Sequence, residues 1–199
     1  MDCIGKIVDC QSEILTAEFD KNLHLPPPAF GSLLKADGGE MWLYGFVFNA
    51  GMKSVEPLTD KSNLTKTGFF KLFRTELQIF LVAYSGKEHS AIQIGLRAFS
   101  PKLNSPIYVA NEQDWQNFAM HLEFLNSLLS PSEKIPSDEL ITAIIPRLAN
   151  VYPDQDSFYI RVWHELSGFL TNDKTRFKTL MEKIARKDVS HGHQPPRKS

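Results

Sequence analysis

Two segments of the sequence carry apolar side chains at almost every position, which restricts the possible folds more than any other feature: residues 41–48 read MWLYGFVF and residues 77–84 read LQIFLVAY. Successive side chains of a strand point to opposite faces of a sheet. One set of faces is formed by Trp42, Tyr44, Phe46 and Phe48 and by Leu77, Ile79, Leu81 and Ala83. The opposite set is formed by Met41, Leu43 and Val47 and by Phe80, Val82 and Tyr84. Because all of these faces need cover, we expect central strands or strands whose outer faces meet another element.

The rest of the first hundred residues also has the pattern of strands joined by turns. Apolar Leu15, Ala17 and Phe19 alternate with polar residues, as in a strand with one buried face. The three prolines at 26–28 do not fit inside a sheet ladder, and nearby glycines supply the bends that a barrel of short strands needs. From Gly51 to Arg74 the pattern weakens, and we predict a long connection with a short helical turn that caps the barrel.

From residue 111 the apolar residues recur at helical spacing. Asn111 is a suitable N-cap for a first helix that ends at Ser130. A second helix starts at Ser137 and is expected to be kinked or interrupted by Pro146. Two more are predicted, of which the last begins at Asp173. The apolar positions of the first, third and fourth helices are Trp115, Phe118, Leu122, Leu125 and Leu129; Tyr159, Val162, Trp163, Leu166 and Leu170; and Phe177, Leu180, Met181 and Ile184.

Length and composition fit a folded chain with two small domains. With 199 residues, of which 42% are hydrophobic and 23% charged, the chain can bury two cores. We predict an α+β organisation: a β-barrel domain over residues 1–110, a domain of about four helices over 111–188 and a disordered tail over 189–199.

Charge and cysteine content restrict the environment. The formal net charge of −1 provides no overall field that would attract nucleic acid or an anionic membrane. No apolar run approaches the roughly 20 residues that span a bilayer, and no basic segment leads into an apolar stretch at the N-terminus. Cys3 and Cys10 are expected to be buried, unbridged thiols in a reducing compartment. We therefore expect a cytoplasmic protein without a membrane contact.

Four short segments carry a resemblance to a known family: residues 4–8 (IGKIV), 25–34 (LPPPAFGSLL), 44–47 (YGFV) and 72–77 (LFRTEL). In order and spacing they resemble the HAS-barrel family, whose small barrel precedes the ATPase domain of HerA-type DNA-processing ATPases and of ATP synthase subunits. Residues 105–108 (SPIY) resemble the segment after the barrel in stand-alone members. The resemblance covers about residues 1–110 and implies a closed barrel of about six strands in Greek-key-like order, used for oligomerisation or partner docking. The helical half does not match the motor domain, so no ATPase activity is carried over.

The motifs that would indicate an enzyme are incomplete. Gly86-Lys87 is followed by Glu88 and lacks the upstream glycine of a phosphate-binding loop. His164-Glu165 begins a zinc-protease motif, but Gly168 stands where the second histidine would be. No signature of an activated serine or cysteine is present. We therefore predict a protein that is not an enzyme, with no catalytic, cofactor or metal site.

One basic and aromatic segment is a candidate contact for a partner protein or for nucleic acid. It comprises Lys66, Phe69, Phe70, Lys71, Phe73, Arg74 and Glu76. Rings that stack on bases and cations that meet phosphates are typical of single-strand nucleic-acid platforms. The same composition also fits aromatic residues that plug the end of a barrel. Arg74 and Glu76 share a strand face, where an ion pair and a docking contact are both open.

Two functions follow from these observations. The first is a protein-interaction or oligomerisation module that docks onto an ATPase, a nuclease or another copy of itself, in DNA processing as in one branch of the resembled family. The alternative is a single-stranded nucleic-acid-binding protein that uses the barrel as an OB-like platform. A third hypothesis, an enzyme of unrecognised type, would require a polar pocket with perturbed ionisable groups.

Overall fold

A computed structural model of the chain describes residues 3–55, 72–88, 91–95, 101–130 and 135–191. The strands are β1 (Cys3–Gln11), β2 (Ile14–Phe19), β3 (Leu33–Asp37), β4 (Met41–Val55), β5 (Leu72–Gly86), β6 (Gln93–Ile94) and β7 (Pro106–Val109), with a 3-10 turn at Lys21–Leu23. The helices are α1 (Glu112–Met120), α2 (Phe124–Leu129), α3 (Ser137–Val151), α4 (Gln155–Phe169) and α5 (Lys174–His191). The predicted α+β class, with strands first and helices second, is confirmed.

Six strands close into an antiparallel barrel in the order β1, β2, β5, β4, β3 and β7. The ring closes because β7 pairs with β1 on one side and with β3 on the other. The short strand β6 adds to β5 outside this ring. Since β2 pairs with β5 and not with the next strand in the chain, the order is of Greek-key type, as expected.

The barrel wall has an apolar cluster on each side, and β4 and β5 contribute to both. The cluster inside the barrel comprises Ile4, Ile7, Leu15, Ala17, Phe19, Leu34, Ala36, Leu43, Val47, Leu77, Ile79, Leu81 and Ile107. On the outer surface, Tyr44, Phe46, Phe48, Phe80 and Val82 join the apolar residues of the helices in a second cluster. The prediction that both faces of these strands are covered is therefore confirmed, and the helical region is the outer cover.

A β-bulge corrects one detail of the predicted strand faces. Tyr44 pairs with Ala83 and Gly45 pairs with Leu81, so Val82 is an extra residue on β5. Because of this insertion, Ala83 lies in the cluster with the helices, while Leu81 lies inside the barrel. The prediction that these two side chains share a face was wrong.

The predicted helix from Asn111 to Ser130 is interrupted after one capped segment. Asn111 is the N-cap of α1, as predicted, and forms a capping box with Asp114. Arg161 of α4 donates hydrogen bonds to the carbonyl oxygens of Ala119 and Met120, at 3.3 and 2.9 Å. These carbonyls would accept from the following turn in a continuous helix, so the chain leaves the helix and restarts at α2.

Of the two predicted effects of Pro146, a kink or an interruption, the interruption does not occur, because α3 runs through this residue from Ser137 to Val151. A proline inside a helix costs about 3 kcal/mol. Pro146 and its neighbours Ile144, Ile145 and Leu148 are buried, and each buried aliphatic side chain contributes about 1.5–3 kcal/mol. Burial therefore outweighs the missing hydrogen bond.

The ends of the chain also differ from expectation. Cys3 is exposed and Cys10 is half-buried, so the expected burial of the thiols was wrong, although both are free. Cys3 lies at the rim of the barrel, where the pairing of β1 with β7 is irregular. The last helix, α5, begins at Lys174, one residue after the predicted start at Asp173, and continues to His191, so residues 189–191 are helix and not part of a disordered tail. The rest of the predicted tail, residues 192–199, lies outside the described residues.

None of the described helices combines the length and the apolar character needed to cross a bilayer.

Candidate interaction surface

The strands β4 and β5 extend beyond the end of β3, and their last three residue pairs, 53–55 with 72–74, extend beyond β2 as well and form a two-stranded ribbon. β3 pairs with β4 only as far as Phe46, and β2 pairs with β5 only from Thr75 onwards. β4 and β5 remain paired with each other to Val55 and Leu72. We call residues 49–55 and 72–76 the arm. The prediction of a connection from Gly51 to Arg74 was therefore wrong at both ends, where the chain is strand; residues 56–71, including the predicted helical turn, lie outside the described residues.

The outer face of the arm carries a compact charge cluster. The Nε atom of Arg74 donates to Oε1 of Glu76 at 2.7 Å. Nζ of Lys53 lies 3.6 Å from Oε2 of the same carboxylate. The Glu76 side chain is only 13% exposed, whereas the Lys53 side chain is 65% exposed. Two cations therefore share one carboxylate, and of the two alternatives left open for Arg74 and Glu76 the ion pair is present.

The inner face of the arm is apolar and continues the face of β5 that lines the barrel interior. Cross-strand pairing places Met52 beside Thr75 and Ser54 beside Phe73, on the same face as buried Leu77. Met52 is 73% exposed and Phe73 is 50% exposed. Exposed apolar side chains that adjoin one another on a projecting ribbon are typical of a binding surface.

A groove of about 550 Å³ lies between the arm and the ends of β1 and β2. The residues that line it are Cys3, Gly5, Lys6, Glu18, Phe19, Asp20, Asn22, Met52, Phe73, Arg74 and Thr75. Phe73 and Met52 contribute exposed apolar side chains to the lining, and Lys6 and Glu18 contribute an ion pair whose Nζ and Oε2 atoms are 3.9 Å apart. The groove thus offers an apolar strip with compensated charges at its rim.

The sequence identified part of this surface. Phe73, Arg74 and Glu76 lie together on β5 in the arm. The other predicted contacts, Lys66, Phe69, Phe70 and Lys71, lie outside the described residues. Met52 and Lys53 were missed, because residues 51–55 were interpreted as a connection. The alternation of Met52 and Ser54 with Gly51 and Lys53 was the available signal.

A second cluster of polar residues lies buried between the barrel and α1. Nζ of Lys35 is 3.2 Å from Oδ2 of Asp114, and the Tyr44 hydroxyl donates to Oδ1 of Asp114 at 3.2 Å. Ser85 lies 3.4 Å from the same hydroxyl. Burial raises the pKa of Tyr44 to about 12. Since all four residues are buried, this cluster joins two parts of the fold and has no access for a substrate.

Other ionisable residues make separate surface contacts. Lys87 lies 2.8 Å from Asp37, and its hydrogen bond lowers the pKa of that carboxyl. Asp138 accepts two hydrogen bonds from Arg176 of α5, at 3.0 and 2.8 Å. His164 is exposed beside the ring of Trp163. Among the side chains that the structure describes, no three His, Cys, Asp or Glu residues are grouped as a metal site would require.

No family model matches this sequence, and no curated protein sequence matches it. The arm and its groove are therefore identified as the candidate site on geometry and chemistry alone.

Proposed function

We propose that this chain is a non-enzymatic interaction module of the HAS-barrel type, which docks onto a partner protein through the arm. The observation that carries the proposal is the pair Met52 and Phe73, which extend the barrel's apolar inner face into an open groove. Burial of such side chains at an interface excludes water from apolar surface and stabilises the complex. The arm, in this proposal, is the part of the barrel that the partner recognises.

Partners of the kind implied by the resemblance are a ring-forming ATPase, a nuclease or a second copy of this chain, in DNA processing. We expect a cytoplasmic location, because Cys3 and Cys10 are unbridged and exposed or half-buried on β1. Thiols in such positions persist in reducing compartments.

The proposal is tested by affinity capture from a lysate of the native organism, together with the solution mass. The variant Phe73→Ser removes an exposed apolar side chain from the lining of the groove, and Leu103→Ser is the matched control, since Leu103 is 62% exposed and does not line the groove. We expect the wild type and the Leu103 variant to retain the same partner or the same oligomer, and the Phe73 variant to lose it. A wild-type chain that stays monomeric and retains no protein would contradict the proposal.

Single-stranded nucleic acid is the second candidate ligand, and the specific observation in its favour is that β5 carries the exposed Phe73 ring on one face and the Arg74 guanidinium on the other. Against it, Arg74 and Lys53 are both engaged by Glu76. Phosphate contacts release counterions and strengthen as salt is lowered. Salt-dependent retention of a single-stranded oligonucleotide would support this candidate, and no retention at low salt would exclude it.

A further inference from the structure

β4 has a free backbone edge along the arm. Residues 49–55 are bonded to β5 on one side, and no strand among the described residues pairs with their other side. The free edge stops at Val47, which exchanges backbone hydrogen bonds with Gly31 and Ser32 at 2.7 and 2.9 Å. At 3.3 Å per residue, the seven residues of the edge extend roughly 23 Å. A row of unpaired N–H and C=O groups of this length is a template for another strand.

We propose that this edge pairs with the same edge of a second copy, antiparallel, about a two-fold axis at Met52. The inference rests on the proposed interaction function and names the partner. A two-fold axis perpendicular to the sheet keeps the inner faces of the two arms on one side. Met52 then lies opposite Met52 of the second copy, Gly51 opposite Lys53, Ala50 opposite Ser54 and Asn49 opposite Val55.

A two-fold axis at Met52 is the only one that pairs all of residues 49–55 without placing like charges, or a residue that is already bonded, opposite each other. An axis at Lys53 would set two like charges directly opposite each other, which is destabilising. An axis at Gly51 would set Val55 opposite Val47 of the second copy, whose edge is already bonded to Gly31 and Ser32. The midpoint of residues 49–55 is Met52, so the register follows from the geometry of the edge.

Charge on the outer face complements itself in this register. Lys53 faces Gly51 of the second copy, which has no side chain, and Glu76 is the cross-strand neighbour of Gly51. The backbones of Lys53 and of Glu76 in the second copy are two strand spacings apart, about 10 Å. Extended lysine and glutamate side chains cover that span together. Each Lys53 ammonium therefore comes within reach of a second carboxylate, Glu76 of the second copy, which Arg74 and Lys53 of that copy also contact.

The inner face also gains cover. Met52, the most exposed large hydrophobic residue among the described side chains, meets its counterpart at the axis. Phe73 is the cross-strand neighbour of Ser54, so the apolar strip runs from Phe73 of one copy to Phe73 of the other. Dimerisation through the edge leaves the two grooves open toward the same side, where a partner of the proposed kind can contact both.

Engineered disulfides test both the dimer and its register. Opposite residues in an antiparallel pair have Cα atoms about 4.5–5.5 Å apart, within the range that a disulfide bridges. In a Cys3→Ser, Cys10→Ser background, Met52→Cys should cross-link with itself under mild oxidation. Ala50→Cys and Ser54→Cys should each fail alone, because each lies about 13 Å from its own counterpart, but should cross-link when the two proteins are mixed. All three positions are exposed, so the substitutions should not disturb folding.

Light scattering supplies the second measurement. We expect a concentration-dependent mass that approaches twice the chain mass of 22.6 kDa, and a return to the monomer mass in Met52→Asp but not in Leu103→Asp. A monomer at all concentrations, or a dimer without the predicted pattern of cross-links, would overturn this inference. If the chain is a monomer but retains a partner protein through Phe73, the proposed function still stands. If the chain is a monomer and retains no partner protein, both the dimer and the proposed function are overturned.

Discussion

Nζ of Lys35 on β3 lies 3.2 Å from Oδ2 of Asp114 on α1, and both side chains are less than 10% exposed. The same carboxylate accepts the Tyr44 hydroxyl and the backbone N–H of Asn111. One buried carboxylate therefore fixes the start of the helical region to the barrel wall. It serves as a helix cap, the partner of a buried cation and the acceptor of a phenol.

Loss of the Asp114 charge should destabilise the fold strongly. In Asp114→Asn the side-chain shape is kept, but Lys35 remains buried without a counter-charge. Breaking a buried pair in this way costs about 3–5 kcal/mol. Urea unfolding should show this loss, while Glu112→Gln, an exposed carboxylate in the same helical turn, should stay within about 0.5 kcal/mol of wild type. Equal effects in the two variants would contradict the role assigned to the pair.

Tyr44 should make stability depend on pH in the alkaline range. Its pKa is raised from 10.0 to about 12, mainly because burial disfavours the phenolate. A raised folded-state pKa means that the contribution to stability is complete below pH 10 and is lost as the pH rises toward 12. Urea unfolding between these values should show a steeper loss in wild type than in Tyr44→Phe. If the free energy of unfolding changed with pH in the same way in both proteins, Tyr44 would titrate as it does in the unfolded chain.

Phe46 should contribute more to stability than any exposed ring of the arm. Its ring lies 5.3 Å from that of Phe124 and 5.6 Å from that of Phe118, so it joins the barrel wall to two helices. Phe46→Ala should lower the free energy of unfolding by about 3–5 kcal/mol. Phe73→Ala makes the same change at a half-exposed site, and its free energy of unfolding should stay within about 0.5 kcal/mol of wild type. Urea titration of both variants measures the difference.

Two glycines of β4 should respond differently to the same substitution. A Cβ atom on Gly45 would lie 2.5 Å from the Phe80 carbonyl oxygen and 2.7 Å from Cγ2 of Ile79, whereas one on Gly51 would meet no atom within 4 Å. Overpacking of this kind costs about 1–3 kcal/mol. Gly45→Ala should therefore lower the thermal midpoint by several degrees and Gly51→Ala should leave it nearly unchanged. A similar shift in both would mean that strand propensity, and not the close approach, sets the cost.

The patterns that predicted the fold best were those in which one physical cause dominates. Asn111 was identified as an N-cap because its side chain satisfies orphan N–H groups, and the structure shows that bond to Asp114 N at 2.8 Å. The aromatic residues of β4 indicated two covered faces because no exposed strand would carry them. In both cases local sequence and burial favour the same structure.

Where the predictions failed, the local structure depends on contacts with residues that are distant in the sequence. Arg161 ends α1 from a position more than 40 residues away in the chain. Pro146 stays helical because its surroundings are apolar, which no local rule registers. The length of the arm depends on the pairing of β4 with β5, and half of the candidate contact, including Met52 and Lys53, became visible only through that register. Sequence periodicity carries no information about which strand lies beside which.

The position of β7 in the barrel has a consequence for biosynthesis. Cys3 of β1 pairs with Tyr108 of β7, and β7 also completes the edge of β3. Until Tyr108 has left the ribosome, β1 and β3 of a nascent chain each lack one of their two neighbouring strands. The barrel therefore cannot close, and its interior residues stay open to water. Contacts between residues so far apart in the chain form slowly. We therefore expect the emerging chain to depend on chaperone binding until translation has passed the seventh strand.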